Sequence, residues 1–247
     1  MMAAHAAVLT GNDVEIISHM VMSPIGGAQY LHEKIPEIGM QPFTITYEKR
    51  GSADGYAMKV YGDAAAPTSW AEFPEGEVEA YSLRHAYRRL WDRYADLIKD
   101  HILTPGEVWR YTSDYDLVLC TLPASKMCLH DHEFQSQEVT LVKVHRCNPR
   151  NTIIYSGDLE DHWYRWSCIR DEPWLEFSGR VDPEHAVDSH QAVWHGVKPI
   201  KSDCTCHTRP DGSFVKLGRF GQWRKAVLVS DAFKDALVAL EARHAVQ

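Results

Sequence analysis

The opening segment constrains the fold more than any other stretch. Met1–Leu9 is short, apolar and rich in alanine, the strongest helix former. Gly11 follows as a stop, because glycine takes the left-handed conformation that ends a helix at little cost. After the turn Thr10-Gly11-Asn12-Asp13, the segment Val14-Glu15-Ile16-Ile17-Ser18 is dominated by β-branched residues and reads as a short buried strand. Helix, tight turn and buried strand make the second half of a βαβ unit. The expectation is therefore an α/β chain that opens inside such a unit, without its first strand.

Later segments repeat the α/β theme and add β-rich pieces. Ser82–Asp100 carries Leu83, Tyr87, Leu90, Tyr94 and Leu97 at helical spacing. A second helix is expected after Thr104, with Pro105 at its first position. Leu117–Pro123 is an apolar run closed by proline, as in a parallel-sheet strand buried on both faces. Phe43–Lys49 alternates as a strand, and Tyr56–Tyr61 is expected to pair with it. Four strand-like runs, Glu138–His145, Thr152–Ser156, Trp163–Ile169 and Trp174–Phe177, have short polar connections and point to an antiparallel sheet. Val215–Leu217 reads as a last strand and Asp231–Ala242 as an amphipathic helix.

This order places an N-terminally incomplete, Rossmann-like nucleotide-binding layer at residues 1–32, 83–125 and 200–247. An interleaved, mainly antiparallel β-sheet substrate domain takes 33–82 and 126–199.

Composition narrows the function classes. Acids outnumber bases 34 to 26 and no Lys/Arg-rich run occurs, which argues against nucleic acid as a partner. The apolar runs are too short to span a bilayer, and the N-terminus lacks a positive n-region. Six cysteines at irregular spacing in a long chain are expected to be reduced thiols, in a cytoplasmic protein with a small-molecule substrate.

Three constellations suit a large flat ligand. Gly26 and Gly27 follow the first strand; Thr121-Leu122-Pro123 closes the apolar run; Gly218-Arg219-Phe220-Gly221-Gln222-Trp223 precedes the last helix. Paired glycines let backbone pass close to a ligand, and ligands of open α/β sheets lie beyond the carboxyl ends of strands. Taken singly, each also reads as an ordinary turn or core strand.

In this order, together with AAHAAVLTGNDVEIIS, SPIGGAQYLHEKIP, KVYGD, TSW, YSLRHAYRRLWDRY, DLVLCTLPASKMC, HWYRWSCI and GRFGQW, the chain resembles the FAD-dependent oxidoreductases related to amine oxidases and UDP-galactopyranose mutase. Within that class it is most similar to the actinobacterial and phage FAD/NAD(P)-dependent oxidoreductases. The resemblance implies FAD as cofactor and a hydride-accepting flavin. It implies that Gly26 and Gly27 lie near the pyrophosphate and flavin, and Thr121, Leu122 and Pro123 on the adenosine-phosphate side. Gly218, Arg219 and Gly221 would run along the ribityl chain and ring. Trp163, Tyr164 and Arg165 would face the flavin from the substrate domain, with Tyr164, Arg165 and Trp223 as candidate catalytic residues.

The chain departs from that pattern in two places. No G-x-G-x-x-G occurs in it, and Ser18 and His19 stand where an acidic residue would meet the ribose. The expectation is a truncated chain, a misplaced start, or a diverged relative that binds FAD weakly or not at all and serves as a binding protein. A second alternative is a zinc-stabilised α/β protein. Cys128, His130 and His132, with Cys204, Cys206 and His207, offer thiolates and imidazoles, but C-x-C and H-x-H are not the C-x₂-C spacing of zinc modules. The reading adopted is a loop in which they pack against aromatics, with no metal.

Overall fold

The structure, a computed structural model, describes residues 1–18, 26–182, 190, 192–206, 209 and 211–245. His207 lies outside the described residues. In chain order the strands are β1 Ile16–Ser18, β2 Tyr30–Leu31, β3 Pro42–Gly51, β4 Gly76–Ser82, β5 Ile98–Asp100, β6 Val118–Cys120, β7 Phe134–Lys143, β8 Thr152–Gly157, β9 Arg165–Ile169, β10 Glu172–Ser178, β11 Ala192–Ser202 and β12 Phe214–Lys216. The helices are α1 Met2–Leu9, α2 Ala53–Tyr61, α3 Leu83–Tyr94, α4 Pro105–Asp114, α5 Ala124–Met127, α6 Gly218–Gln222 and α7 Asp231–His244. The chain divides into two compact units: Met1–Ser23, His85–Ser136 and Pro199–Gln247 form the first, Pro24–Arg84 and Gln137–Lys198 the second.

The first unit holds two parallel strand pairs. β1 pairs with β5, Ile16 opposite Ile98, and β12 pairs with β6, Phe214 opposite Val118. α1 packs on α7. His5, fully buried on α1, places its Nδ1 2.6 Å from the Tyr94 hydroxyl and its ring 5.8 Å from that of Phe233. α4 starts as the sequence predicts, with Pro105 in its first turn and a reciprocal Thr104–Glu107 capping box.

Two expectations change in this unit. The helix expected over Ser82–Asp100 ends at Tyr94, and after a short 3-10 turn the chain becomes β5. Strand pairing with β1, continued by His101 N–H donating to the Ser18 carbonyl at 3.1 Å, overrides the helical spacing of Leu97. The apolar run at Leu117–Pro123 yields only the three-residue β6, in which Cys120 alone is buried.

The second unit is built on an eight-stranded mixed sheet, in the order β11-β7-β10-β9-β8-β3-β4-β2. β7, β10, β9 and β8 pair antiparallel in turn, as the four short-linked runs predict; β8 and β3 are parallel, and β3, β4 and β2 are antiparallel. Tyr56–Tyr61 is helical, not a strand. Ser52 accepts a hydrogen bond from the Gly55 N–H at 3.1 Å to start α2, and Gly62 at φ 74° ends it. That helix places Tyr56, Ala57 and Val60 on one buried face, where Tyr56 and Val60 join Ile45, Tyr47, Ile153, Tyr155, Tyr164 and Ile169 in the core. Cys147 and Cys168 are joined as a disulfide, so the expectation of six reduced thiols fails at this pair; Cys120, Cys128, Cys204 and Cys206 are free thiols.

Candidate functional site

Two of the three ligand-suited constellations meet in the first unit. Because β12 and β6 are parallel and Lys216 lies opposite Cys120, both strands end at the same edge. Thr121-Leu122-Pro123 leaves β6 there and Leu217-Gly218-Arg219 leaves β12, with Leu217 N–H donating to the Cys120 carbonyl at 2.8 Å. Thr121 is exposed, and Leu122 and Pro123 are half-buried. The Pro123 carbonyl accepts from the N–H groups of Lys126 and Met127 and so starts α5. Gly218 turns the chain into α6 at φ +70°.

Gly221 sits against the strand end itself. A Cβ there would lie 2.9 Å from the Cys120 carbonyl oxygen and 3.5 Å from Thr121 Cα. The missing side chain thus serves close helix–strand packing. Arg219 Nε donates to the Val227 carbonyl at 3.0 Å. Trp223 is buried; its Nε1 donates to the Gln135 carbonyl at 3.0 Å and its ring meets Phe134 edge-on.

The remaining candidates belong to the second unit. A Cβ at Gly26 would fall 2.2 Å from the Trp194 ring, so the glycine lets backbone pass that indole. Gly27 holds φ +80°. Tyr164 and Arg165 both engage Glu176, which is 2% exposed. The Tyr164 hydroxyl and Lys198 Nζ donate to Glu176 Oε1, Arg165 donates to Oε2, and Lys198 Nζ also donates to the Tyr164 hydroxyl at 3.0 Å. Burial pushes the neighbouring Tyr155 hydroxyl up to about 12, with Arg165 opposing the shift. Sequence reasoning missed Glu176 and Lys198. The available signal was one acid within the apolar run Trp174-Leu175-Glu176-Phe177. A shallow cleft of about 210 Å³ in this unit, lined in part by Glu138, Arg180 and His195, contains none of the candidate catalytic residues.

A further group in the first unit draws four of the Cys/His candidates together. α5 runs directly into Cys128, whose N–H caps it on the Ala124 carbonyl. Cys128 Sγ lies 3.2 Å from His132 Nδ1, 3.6 Å from Cys204 Sγ and 3.9 Å from Cys206 Sγ; Cys206 Sγ lies 3.4 Å from the same His132 nitrogen. All four ligand-type atoms fall within 4.8 Å of one another, and none of the four residues is exposed. His130 stands outside the group; its carbonyl accepts from Cys128 and its ring meets that of His132 edge-on. Burial raises the Cys204 thiol to about 11, and its hydrogen bond to Cys128 adds to this. Burial acts the same way on Cys128, but the His132 imidazole and the thiols of Cys204 and Cys206 outweigh it and bring that thiol down to about 7.

No protein-family model matches the chain, and no curated protein is similar to it in sequence. Among solved structures 17 chains match. One, a reduced UDP-galactopyranose mutase, superposes with a TM-score of 0.50 at 12% identity, over 78% of this chain and 64% of that one. The chain thus spans less than two thirds of that protein, and the likeness is one of fold. No helix among the described residues is long and apolar enough to cross a membrane.

Proposed function

We propose that this protein is an FAD-dependent oxidoreductase of the amine-oxidase and mutase-like class, taking the dinucleotide at the shared carboxyl edge of β6 and β12. The observation that carries the reading is the convergence of Thr121–Pro123 and Gly218–Arg219 on that edge. Dinucleotides bind open α/β sheets in this position, and the fold likeness to a UDP-galactopyranose mutase supports the reading.

The residues present fit the nucleotide half of the ligand. Thr121 offers an exposed hydroxyl and Leu122 an apolar surface; Gly218 and Arg219, which the resemblance gives to the ribityl chain and ring, leave β12 at the same edge, and Arg219 brings positive charge there beside its bond to the Val227 carbonyl. When bound, FAD supplies the hydride acceptor for oxidation of a small organic substrate. The residues that the resemblance gives to the ring half, Tyr164, Arg165 and Trp223, are each committed to protein partners within their own unit. That commitment favours a second reading, a binding protein that has kept the fold without the redox chemistry.

Titration of the full chain with FAD, followed by calorimetry and visible absorption, tests the proposal. Saturation at one FAD per chain, weakened in Arg219→Gln, supports it. No binding at millimolar FAD rejects the cofactor and leaves the second reading.

A further inference from the structure

We infer that Cys128, His132, Cys204 and Cys206 form a closed site for one zinc ion. The inference is independent of the flavin reading. Three thiols and an imidazole are the donor set of a structural zinc centre, and four protein ligands complete its tetrahedron. The distances match that geometry. With Zn–S near ~2.3 Å and Zn–N near ~2.05 Å, tetrahedral angles place sulfurs about 3.8 Å apart and sulfur and nitrogen about 3.6 Å apart, so closing on an ion needs shifts of only a few tenths of an ångström. Two of the three Sγ–Sγ distances are 3.6 and 3.9 Å and two of the three Sγ–Nδ1 distances are 3.2 and 3.4 Å, and all four atoms lie within 4.8 Å of one another. A disulfide would instead need the sulfurs at about 2.05 Å.

The ligands come from two short segments far apart in sequence, Cys128-x₃-His132 and Cys204-x-Cys206. The first follows α5 and therefore the end of β6; the second lies between β11 and β12. One ion would tie together the loop that leaves β6 and the loop that enters its parallel partner. With no ligand position left for water or substrate, the ion is structural and takes no part in a reaction. Its binding deprotonates the three thiols and releases their protons to solvent.

The test uses the full chain purified under reducing conditions without chelator. Elemental analysis is expected to give one zinc per chain. Exchange to Co²⁺ is expected to give the intense visible bands of a tetrahedral site with sulfur-to-metal charge transfer. Cys204→Ser and His132→Ala should lose the metal, whereas His130→Ala and the ligand-preserving His132→Cys should keep it. If the ligand variants do not fold, the cobalt spectrum of the unaltered chain still decides. Metal-free protein that takes up no Co²⁺, a weak octahedral cobalt spectrum, or zinc retained in both Cys204→Ser and His132→Ala would overturn the site.

Discussion

Replacing Glu176 by glutamine keeps the shape of the side chain and removes its charge. Glu176 is 2% exposed and faces Arg165 and Lys198, whose side chains are 21% and 29% exposed. Both cations would then face a neutral amide, away from most solvent. Breaking a buried ion pair by neutralising one partner costs about 3–5 kcal/mol. Water still reaches about a quarter of each cation, so the low end applies, about 3 kcal/mol. For a chain of this size that lowers the melting temperature by about 6–12 °C. Thermal unfolding followed by circular dichroism measures it. Removing the whole network with Tyr164→Phe, Arg165→Leu, Glu176→Leu and Lys198→Met should recover most of the loss, because an apolar set of similar volume needs no desolvation of charge. A loss below about 1 kcal/mol in Glu176→Gln would class the network with solvent-screened surface pairs and refute the reasoning.

Gly221→Val should destabilise the protein by about 1–3 kcal/mol in urea unfolding, since the new side chain meets the Cys120 carbonyl at the end of β6; unchanged stability would mean that α6 is not packed there. Tyr94→Phe removes the hydroxyl that lies 2.6 Å from the buried His5 Nδ1 and should cost about 1 kcal/mol, the net worth of one hydrogen bond; unchanged stability in urea unfolding would show that this contact contributes nothing. Hydrogen bonds from the Thr104 hydroxyl and N–H, and from His101, lower the Glu107 carboxyl from its ordinary 4.5 to about 2. A depressed pKa means that the stabilisation by this carboxylate is complete above pH 4.5 and is lost as pH falls through about 2. An NMR titration of Glu107 with a midpoint near 4.5 would show that the capping box does not hold the charge.

Local chemistry made much of the fold legible. The Ala-rich opening, Pro105 after Thr104 and the four short-linked β runs each carry their own signal, and each takes the expected form. Long-range pairing explains the misses. Residues 98–100 continue a helical spacing, yet β1 draws them into a parallel strand. Tyr56–Tyr61 has the β-branched and aromatic look of a strand, but Ser52 and Gly62 cap it as a helix. In the site, spacing rules failed for the Cys/His group because its two halves lie far apart in sequence and meet only through the fold. Glu176 illustrates the same limit: its position in an apolar strand hints at a buried charge, but neither Arg165 nor Lys198 is marked in the sequence as its partner.

Hydrogen exchange on the full chain, with and without FAD, tests the proposed function most directly because it locates the ligand as well as detecting it. The account predicts added protection at the amides of Thr121, Leu122 and Gly218–Gly221, where β6 and β12 end together. Unchanged exchange at those amides with FAD bound, or protection confined to other segments, would contradict it.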